Sequence, residues 1–280
     1  MLRPARVALW LGAAVLALCA CHYLGLYLRE TAPESLLARG FSPKFNLDNE
    51  QYVPTFFSSL LLLAAAAVLC VIASDRRTTE LRAHWWALGG VFALLALDEA
   101  IGLHEMLNTP ARGLVDLPEW LTFAWVVPAT AGVALFGAAY ARFLYRLPRR
   151  TGGLFVLAGA MYVGGAIGAE IASAAVRGTA LYQVVMPLEE ALEMSGIVVF
   201  LYALLSYHGA HGSPLSVEVT PGSGEAEAAP VEARGSEAGA VRPPAARHRF
   251  ASPGGAQAAL HAQAAHAALS VAVEPERGVS

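Results

Sequence analysis

Residues 85–106 read WWALGGVFALLALDEAIGLHEM, an apolar run of the length that a helix needs to cross a bilayer. Asp98 and Glu99 lie inside this run, and His104 and Glu105 lie near its end. The run is long and shows no alternation of apolar and polar residues, so it predicts a helix and not a strand. The stretch therefore predicts a transmembrane helix that carries ionisable side chains.

Five further apolar runs of similar length lie on either side of this stretch. Of the 280 residues, 56% are hydrophobic and 15% are charged, which is too apolar for a typical soluble domain. The net charge of -3 gives no reason to expect nucleic acid as a partner, so the expected partner is the lipid bilayer. We predict an all-α fold, a six-transmembrane-helix bundle with helices at about 7–28, 53–73, 85–106, 121–145, 153–176 and 184–207.

The composition changes at about residue 209. Residues 209–280 are rich in Ala, Gly, Pro, Ser and Glu, and their one aromatic residue is Phe250. Such a segment buries too little apolar surface to offset the entropy lost on ordering. The chain is therefore predicted to consist of a transmembrane helical bundle over residues 1–208 and a disordered C-terminal tail over residues 209–280.

Arginine and lysine are distributed unequally between the two sides of the predicted bundle. Cytoplasmic loops of membrane proteins carry the excess of these residues, so the richer side is expected to be cytoplasmic, with both termini. Arg3 and Arg6 before an apolar run are also typical of a signal peptide, and cleavage before Cys21 is the alternative to an uncleaved first helix. The richer side has nine residues, Arg3, Arg6, Arg76, Arg77, Arg82, Arg142, Arg146, Arg149 and Arg150, and the other has five, Arg29, Arg39, Lys44, Arg112 and Arg177.

Acidic side chains recur in the outer half of the predicted bundle. A charged acid at the centre of a bilayer costs about 2.5–3.5 kcal/mol, so these acids should face protein or a water-filled cavity. Ala160, Gly164 and Gly168, spaced four apart, predict a close helix contact nearby. The candidate site on the extracytoplasmic side comprises Asp98, Glu99, His104, Glu105, Glu170, Glu189 and Glu193.

This set of carboxylates with one imidazole suits a divalent metal ion such as Zn, Mn or Fe. The first hypothesis is a metal-dependent membrane enzyme that acts on a lipid or small molecule, in which the metal activates a water and a neighbouring Glu acts as base. The second hypothesis is a proton- or cation-coupled transporter or channel. The third is a non-catalytic membrane assembly or sensor protein. The sequence leaves all three open and assigns no catalytic residue.

Several of these motifs together resemble a family of uncharacterised bacterial multi-pass membrane proteins. The motifs are Asn46-Leu47-Asp48, Pro54-Thr55-Phe56-Phe57-Ser58-Ser59, Leu97-Asp98-Glu99 through His104-Glu105, the Gly-rich helix ending at Glu170, and Glu189-Glu190 through Glu193. The likeness covers about residues 46–207; it implies a multi-pass protein of the bacterial inner membrane and brings no known activity.

A weaker similarity is to the alkaline ceramidase and progestin-receptor-like membrane hydrolases. That similarity implies Ser59 and Asp98 as the matches to that group's Ser and Asp. It places Glu189 and Glu193 where that group has two zinc-binding histidines on its final helix. The zinc ligands of that group are therefore missing from this chain.

The expected orientation can be tested with reporter fusions at residues 45 and 215. A fusion at residue 45 should report an extracytoplasmic position and one at residue 215 a cytoplasmic position, because of the arginine and lysine distribution. An extracytoplasmic signal at residue 215 would show that this topology is wrong. A mature protein beginning at Cys21 would instead show that the first helix is cleaved.

Overall fold

The structure is a computed structural model that describes residues 3–49, 52–75, 80–114 and 124–212. All regular elements in this part of the chain are helices. They are α1 (Pro4–Thr31), α2 (Leu36–Lys44), α3 (Val53–Ser74), α4 (Arg82–Ile101), α5 (Leu103–Met106), α6 (Asn108–Leu114), α7 (Val126–Arg146), α8 (Arg149–Val163), a π-helix (Gly164–Ala169), α9 (Glu170–Val176) and α10 (Tyr182–His211). The tail predicted at residues 209–280 lies outside the described residues except for its first four.

Four helices of the described chain are long and apolar enough to cross a membrane: α1, α3, α7, and the run Arg149–Val176 that α8, the π-helix and α9 form together. A fifth span is present if α4 and the following Leu103–Pro110, which are bent by 76° at their junction, count as one. α10 (Tyr182–His211) is not among these four helices. The fold is therefore all-helical with several helices of membrane-spanning length.

The helix predicted at residues 85–106 is not continuous. It ends at Ile101, and Gly102 adopts the left-handed conformation with φ 64° and ψ 44°. The Gly102 N–H donates to the Asp98 carbonyl over 2.7 Å, which closes the end of the helix. Glycine adopts this conformation at no steric cost, so the chain can turn sharply here. The prediction of one straight helix through residue 106 was wrong for this reason.

α10 lies at the centre of the bundle. It packs against α1, α3, α8, the π-helix and α9. Met194 and Leu204 of α10 are completely buried, together with Leu62 and Leu69 of α3. The glutamate-bearing helix is thus shielded from the lipid by its neighbours.

Two glycines bring α10 unusually close to the helix Arg149–Val176. A Cβ at Gly165 would lie 2.8 Å from the Glu189 carbonyl oxygen and 2.8 Å from the Glu193 Cγ. A Cβ at Gly196 would lie 2.8 Å from the Tyr162 backbone nitrogen. Since real Cβ atoms do not approach backbone atoms this closely, both positions require glycine for the observed packing.

The close contact was predicted at the wrong residues. A Cβ at Gly164 or Gly168 would meet no atom of a neighbouring element within 4 Å, and Ala160 is exposed. The buried face of this helix carries Phe155, Ala158 and Gly165, of which the last two are seven residues apart, about two helical turns. The prediction chose a different face of the helix, on which Ala160 and Gly168 are exposed. Gly165 takes the place that the sequence suggested for Gly164.

The adjacent glycines provide a matched test of this contact. We expect Gly165→Ala to lower the free energy of unfolding by about 1–3 kcal/mol, because the added methyl group overpacks the contact with α10. Gly164→Ala should leave stability unchanged or raise it by up to about 1 kcal/mol, since alanine favours helix. Both values can be measured by denaturant unfolding of the purified protein in detergent. Equal effects of the two substitutions would contradict the contact.

Candidate functional site

A cavity of about 330 Å³ lies at the end of the bundle where α4 ends and α10 begins. We call it the acidic cavity. It is bordered by residues of α3, α4, α5, α7, α8, the π-helix, α9 and α10, and by the non-helical residues Leu47, Asp48, Trp125 and Arg177. All seven residues of the predicted site line it: Asp98, Glu99, His104, Glu105, Glu170, Glu189 and Glu193. The structure thus brings them around one space, and their role as a site stays a prediction.

The turn at Gly102 brings His104 back onto Asp98. One carboxylate oxygen of Asp98 accepts a hydrogen bond from the His104 backbone N–H over 2.7 Å. The other lies 3.0 Å from the His104 Nδ1. On a continuous helix the two side chains would be about 120° apart, which predicts no contact; the break in the helix is the reason that they meet. Asp98 therefore both caps the short α5 and orients the imidazole.

Trp125 joins this pair to the opposite wall. Its indole ring lies 4.7 Å from the His104 ring, centroid to centroid. Its Nε1 donates to the Glu170 carboxylate over 3.3 Å. The Trp125 backbone N–H donates to the Asn108 side-chain oxygen over 3.2 Å, which fixes the indole in place. A chain of polar contacts thus runs from Asp98 through His104 and Trp125 to Glu170.

A second set of contacts holds the segment between α2 and α3 against the start of α10. The Tyr182 hydroxyl donates to Asp48 over 2.5 Å. The neighbouring Leu47 N–H donates to the Nδ1 of His22, a fully buried residue of α1, over 3.1 Å. The Arg177 guanidinium lies 5.9 Å from the Tyr182 ring centroid. These contacts bring a further carboxylate and the aromatic ring of Tyr182 to the cavity wall.

Acidic groups outnumber basic groups around the cavity. Because like charges confined to a low-dielectric space repel one another, this composition favours a positively charged occupant or protonated carboxyls. The basic groups in the lining are His104 and Arg177, and the acidic groups are Asp48, Asp98, Glu99, Glu105, Glu170, Glu189, Glu190 and Glu193.

The acids share the cavity without meeting at one point. Within residues 3–49, 52–75, 80–114 and 124–212, no group of three or more His, Cys, Asp or Glu side chains is arranged so that it could hold a metal ion. Three protein ligands are the usual minimum for a catalytic zinc site. The geometry therefore gives no support to the predicted Zn, Mn or Fe site, and the metal stays a prediction.

Sequence reasoning missed the aromatic part of this site. Tyr162, Tyr182 and Trp125 line the cavity with the acids, and Asp48 joins them from the segment before α3. Trp125 has the signature of an interfacial aromatic residue, and Asp48 lies in a motif with no helical periodicity to place it. Only the packing of α10 against the segment 46–49 could show that Asp48 and Tyr182 meet.

Comparison with known proteins places the chain in a family. The family model described as Domain of unknown function (DUF8692) matches residues 7–207, and the chain belongs to this family. The match begins within α1 and ends at residue 207 of α10, four residues before this helix ends at His211. None of the curated proteins and none of the solved structures matches the chain.

The contact between Asp98 and His104 can be tested by graded substitution. We expect Asp98→Ala to lower the free energy of unfolding by about 1–3 kcal/mol, because a helix cap and a hydrogen bond to His104 are both lost. Asp98→Asn should cost less, since the amide oxygen can still accept from the backbone N–H. Glu105→Ala, at an exposed neighbouring position, should change stability by no more than about 0.5 kcal/mol. Increased stability of Asp98→Ala would contradict the capping role.

Proposed function

We propose that this member of the DUF8692 family binds a cationic solute in the acidic cavity, in the manner of a cation-coupled transporter or channel. The single observation that carries the proposal is the acidic cavity itself: the described part of the chain contributes eight carboxylates to its lining, against His104 and Arg177. In a membrane protein, intramembrane acids of this kind typically mark the path of a proton, an ion or a charged substrate.

Electrostatics supports a cationic occupant. Two like charges about 4 Å apart repel by about 4 kcal/mol at an effective dielectric constant of about 20. A cation placed between the carboxylates replaces this repulsion by attraction. The site therefore gains most from a ligand that carries positive charge, and protons can play the same part when the ligand is absent.

The arrangement of the lining supports an organic cation more than a metal ion. The carboxylates are spread over the wall, which matches a ligand with several separated N–H or N–CH₃ groups. Trp125, Tyr162 and Tyr182 lie in the same lining. Aromatic faces attract such cations by roughly 0.5–2 kcal/mol each. An alkylammonium ion has both properties that the wall can recognise.

The proposed topology has six spans with both termini in the cytoplasm. Besides the four apolar helices, it counts the bent pair of α4 and Leu103–Pro110 as the fifth span and α10 as the sixth. Antiparallel order then puts the acidic cavity on the extracytoplasmic side, and the location is a bacterial inner membrane.

An enzyme is the second candidate. One observation favours it: the 3.0 Å contact between Asp98 and the His104 Nδ1, which is the usual way to orient an imidazole as a general base. The substrate would be a lipid or small molecule that enters the cavity. A divalent metal would strengthen this candidate if it bound to the carboxylates near His104.

Cation binding can be measured by its effect on stability. We expect butylamine to raise the melting temperature of the purified full chain, by an amount that corresponds to about 2.7 kcal/mol at a hundred times its dissociation constant. Glu193→Gln should raise the melting temperature without ligand, because it relieves like-charge repulsion, and should weaken the response to butylamine. Glu30→Gln, at an exposed position of α1 outside the cavity, is the matched control and should do neither.

Two outcomes would change the assignment. If butylamine has no effect on the wild-type protein, the cation-binding proposal fails. If Zn²⁺ or Mn²⁺ stabilises the protein and butylamine does not, the metal-dependent enzyme becomes the better proposal.

A further inference from the structure

A second cavity opens on the outer surface of the bundle between the start of α3 and the end of α4. Its volume is about 360 Å³. We call it the lateral groove. Among the residues that the structure describes, its lining is formed by Tyr52, Thr55, Phe56, Ser59, Ala100 and Ile101, and none of these six carries a charge, unlike the lining of the acidic cavity.

The lateral groove has an exposed apolar rim. Phe56 and Ile101, two large apolar side chains of its rim, are 66% and 52% exposed. The Ser59 hydroxyl donates to the Ala96 carbonyl over 2.8 Å, so this polar group of the groove is already engaged by protein. Such a surface suits a hydrocarbon chain and offers little to a polar solute.

The two cavities meet at Thr55. This residue lines both the lateral groove and the acidic cavity, and it is itself buried, with 9% of its surface exposed. Asp98 and Glu99 of the acidic cavity precede Ala100 and Ile101 of the groove directly along α4. An apolar surface and an anionic space are therefore separated by the width of one side chain.

The break at Gly102 makes this arrangement. α4 ends at Ile101, and the chain then turns away by 76°. Ala100 and Ile101, the last two residues of α4, therefore form the α4 side of the lateral groove, and α4 does not extend beyond them. The same turn carries His104 into the acidic cavity.

We propose that the two cavities together form the binding site of a single-chain cationic amphiphile, with its ammonium group in the acidic cavity and its hydrocarbon chain in the lateral groove. Charge complementarity selects the head group, because the acidic cavity favours a cation and none of the described residues of the lateral groove is charged. The ligand enters sideways from the membrane past Phe56 and Ile101. This inference rests on the proposed cation binding and names the class of ligand.

The test varies the head group and the hydrocarbon chain of the ligand separately. It uses the full-length protein in nanodiscs of zwitterionic lipid and measures the melting temperature. Dodecylamine and dodecanol share a chain, and dodecylamine and butylamine share a head group. At equal mole fraction in the membrane, dodecylamine should stabilise the protein and dodecanol should not. Stabilisation by dodecanol equal to that by dodecylamine would overturn the proposal.

A substitution that fills the lateral groove distinguishes binding of the ligand's hydrocarbon chain from binding of its ammonium group. Ala100→Trp, at an exposed position, should weaken dodecylamine binding at least about tenfold, because each methylene displaced from the groove costs about fourfold in affinity. Binding of butylamine should remain within about twofold of wild type, because its site is the acidic cavity. Leu94→Trp, a 64% exposed position on the same helix outside the groove, is the matched control and should change neither.

A second variant covers the case in which Ala100→Trp does not fold. Phe56→Ala removes the exposed wall of the groove and should also weaken dodecylamine selectively, whereas Leu63→Ala, 54% exposed on the same helix, should not. If neither groove variant affects dodecylamine while butylamine still binds, the amphiphile inference is wrong and the proposed cation binding stands. If neither amine binds the wild-type protein, both are wrong.

Discussion

Keeping the glutamates of α10 out of lipid is the constraint on which the rest of this structure depends. Glu189, Glu190 and Glu193 lie in the first half of a helix that belongs to a set of apolar helices. A central charge costs about 2.5–3.5 kcal/mol on insertion scales, so three together could not face hydrocarbon. The bundle meets the constraint by surrounding α10 with α1, α3, α8, the π-helix and α9. The acidic cavity is the space that this arrangement leaves at the end of the helix that carries the acids.

The contact between α10 and the π-helix shows how closely the packing is tied to the site. Gly165 lies against the backbone of Glu189 and the side chain of Glu193, two of the three acids that α10 contributes to the cavity. A π-helix has wider turns than an α-helix and is frequent at functional sites. Here its buried residues Gly165 and Ala169 continue the buried face of α8. The backbone approach thus sets where Glu193 can lie, because no side chain separates the two helices at this level.

Gly102 has an equally local cause and a wider effect. Its left-handed conformation ends α4, and Asp98 satisfies both the Gly102 N–H through its carbonyl and the His104 N–H through its carboxylate. The turn that follows is what places the imidazole against Asp98 and the indole of Trp125 against the imidazole. It also ends the wall beside Ile101, so that the acidic cavity and the lateral groove share Thr55. The turn at Gly102 therefore underlies three features: the hydrogen bond from the His104 N–H to Asp98, the contact of the imidazole with Trp125, and the end of the groove wall at Ile101.

The sequence by itself determined the all-helical class, the approximate position of several helices and six of the acids that lie around the cavity. These properties follow from apolar runs of bilayer length and from the cost of a carboxylate in lipid, both of which can be read along the chain. It did not determine that α4 breaks at Gly102, that Gly165 makes the contact expected of Gly164, or that Asp48, Trp125 and Tyr182 join the site. Those features depend on a backbone conformation that glycine permits but does not require, on which face of the helix Arg149–Val176 packs against α10, and on contacts between residues as far apart as Asp48 and Tyr182. Only the packing of the helices selects among such alternatives, because their energies are decided by neighbours that are distant in sequence.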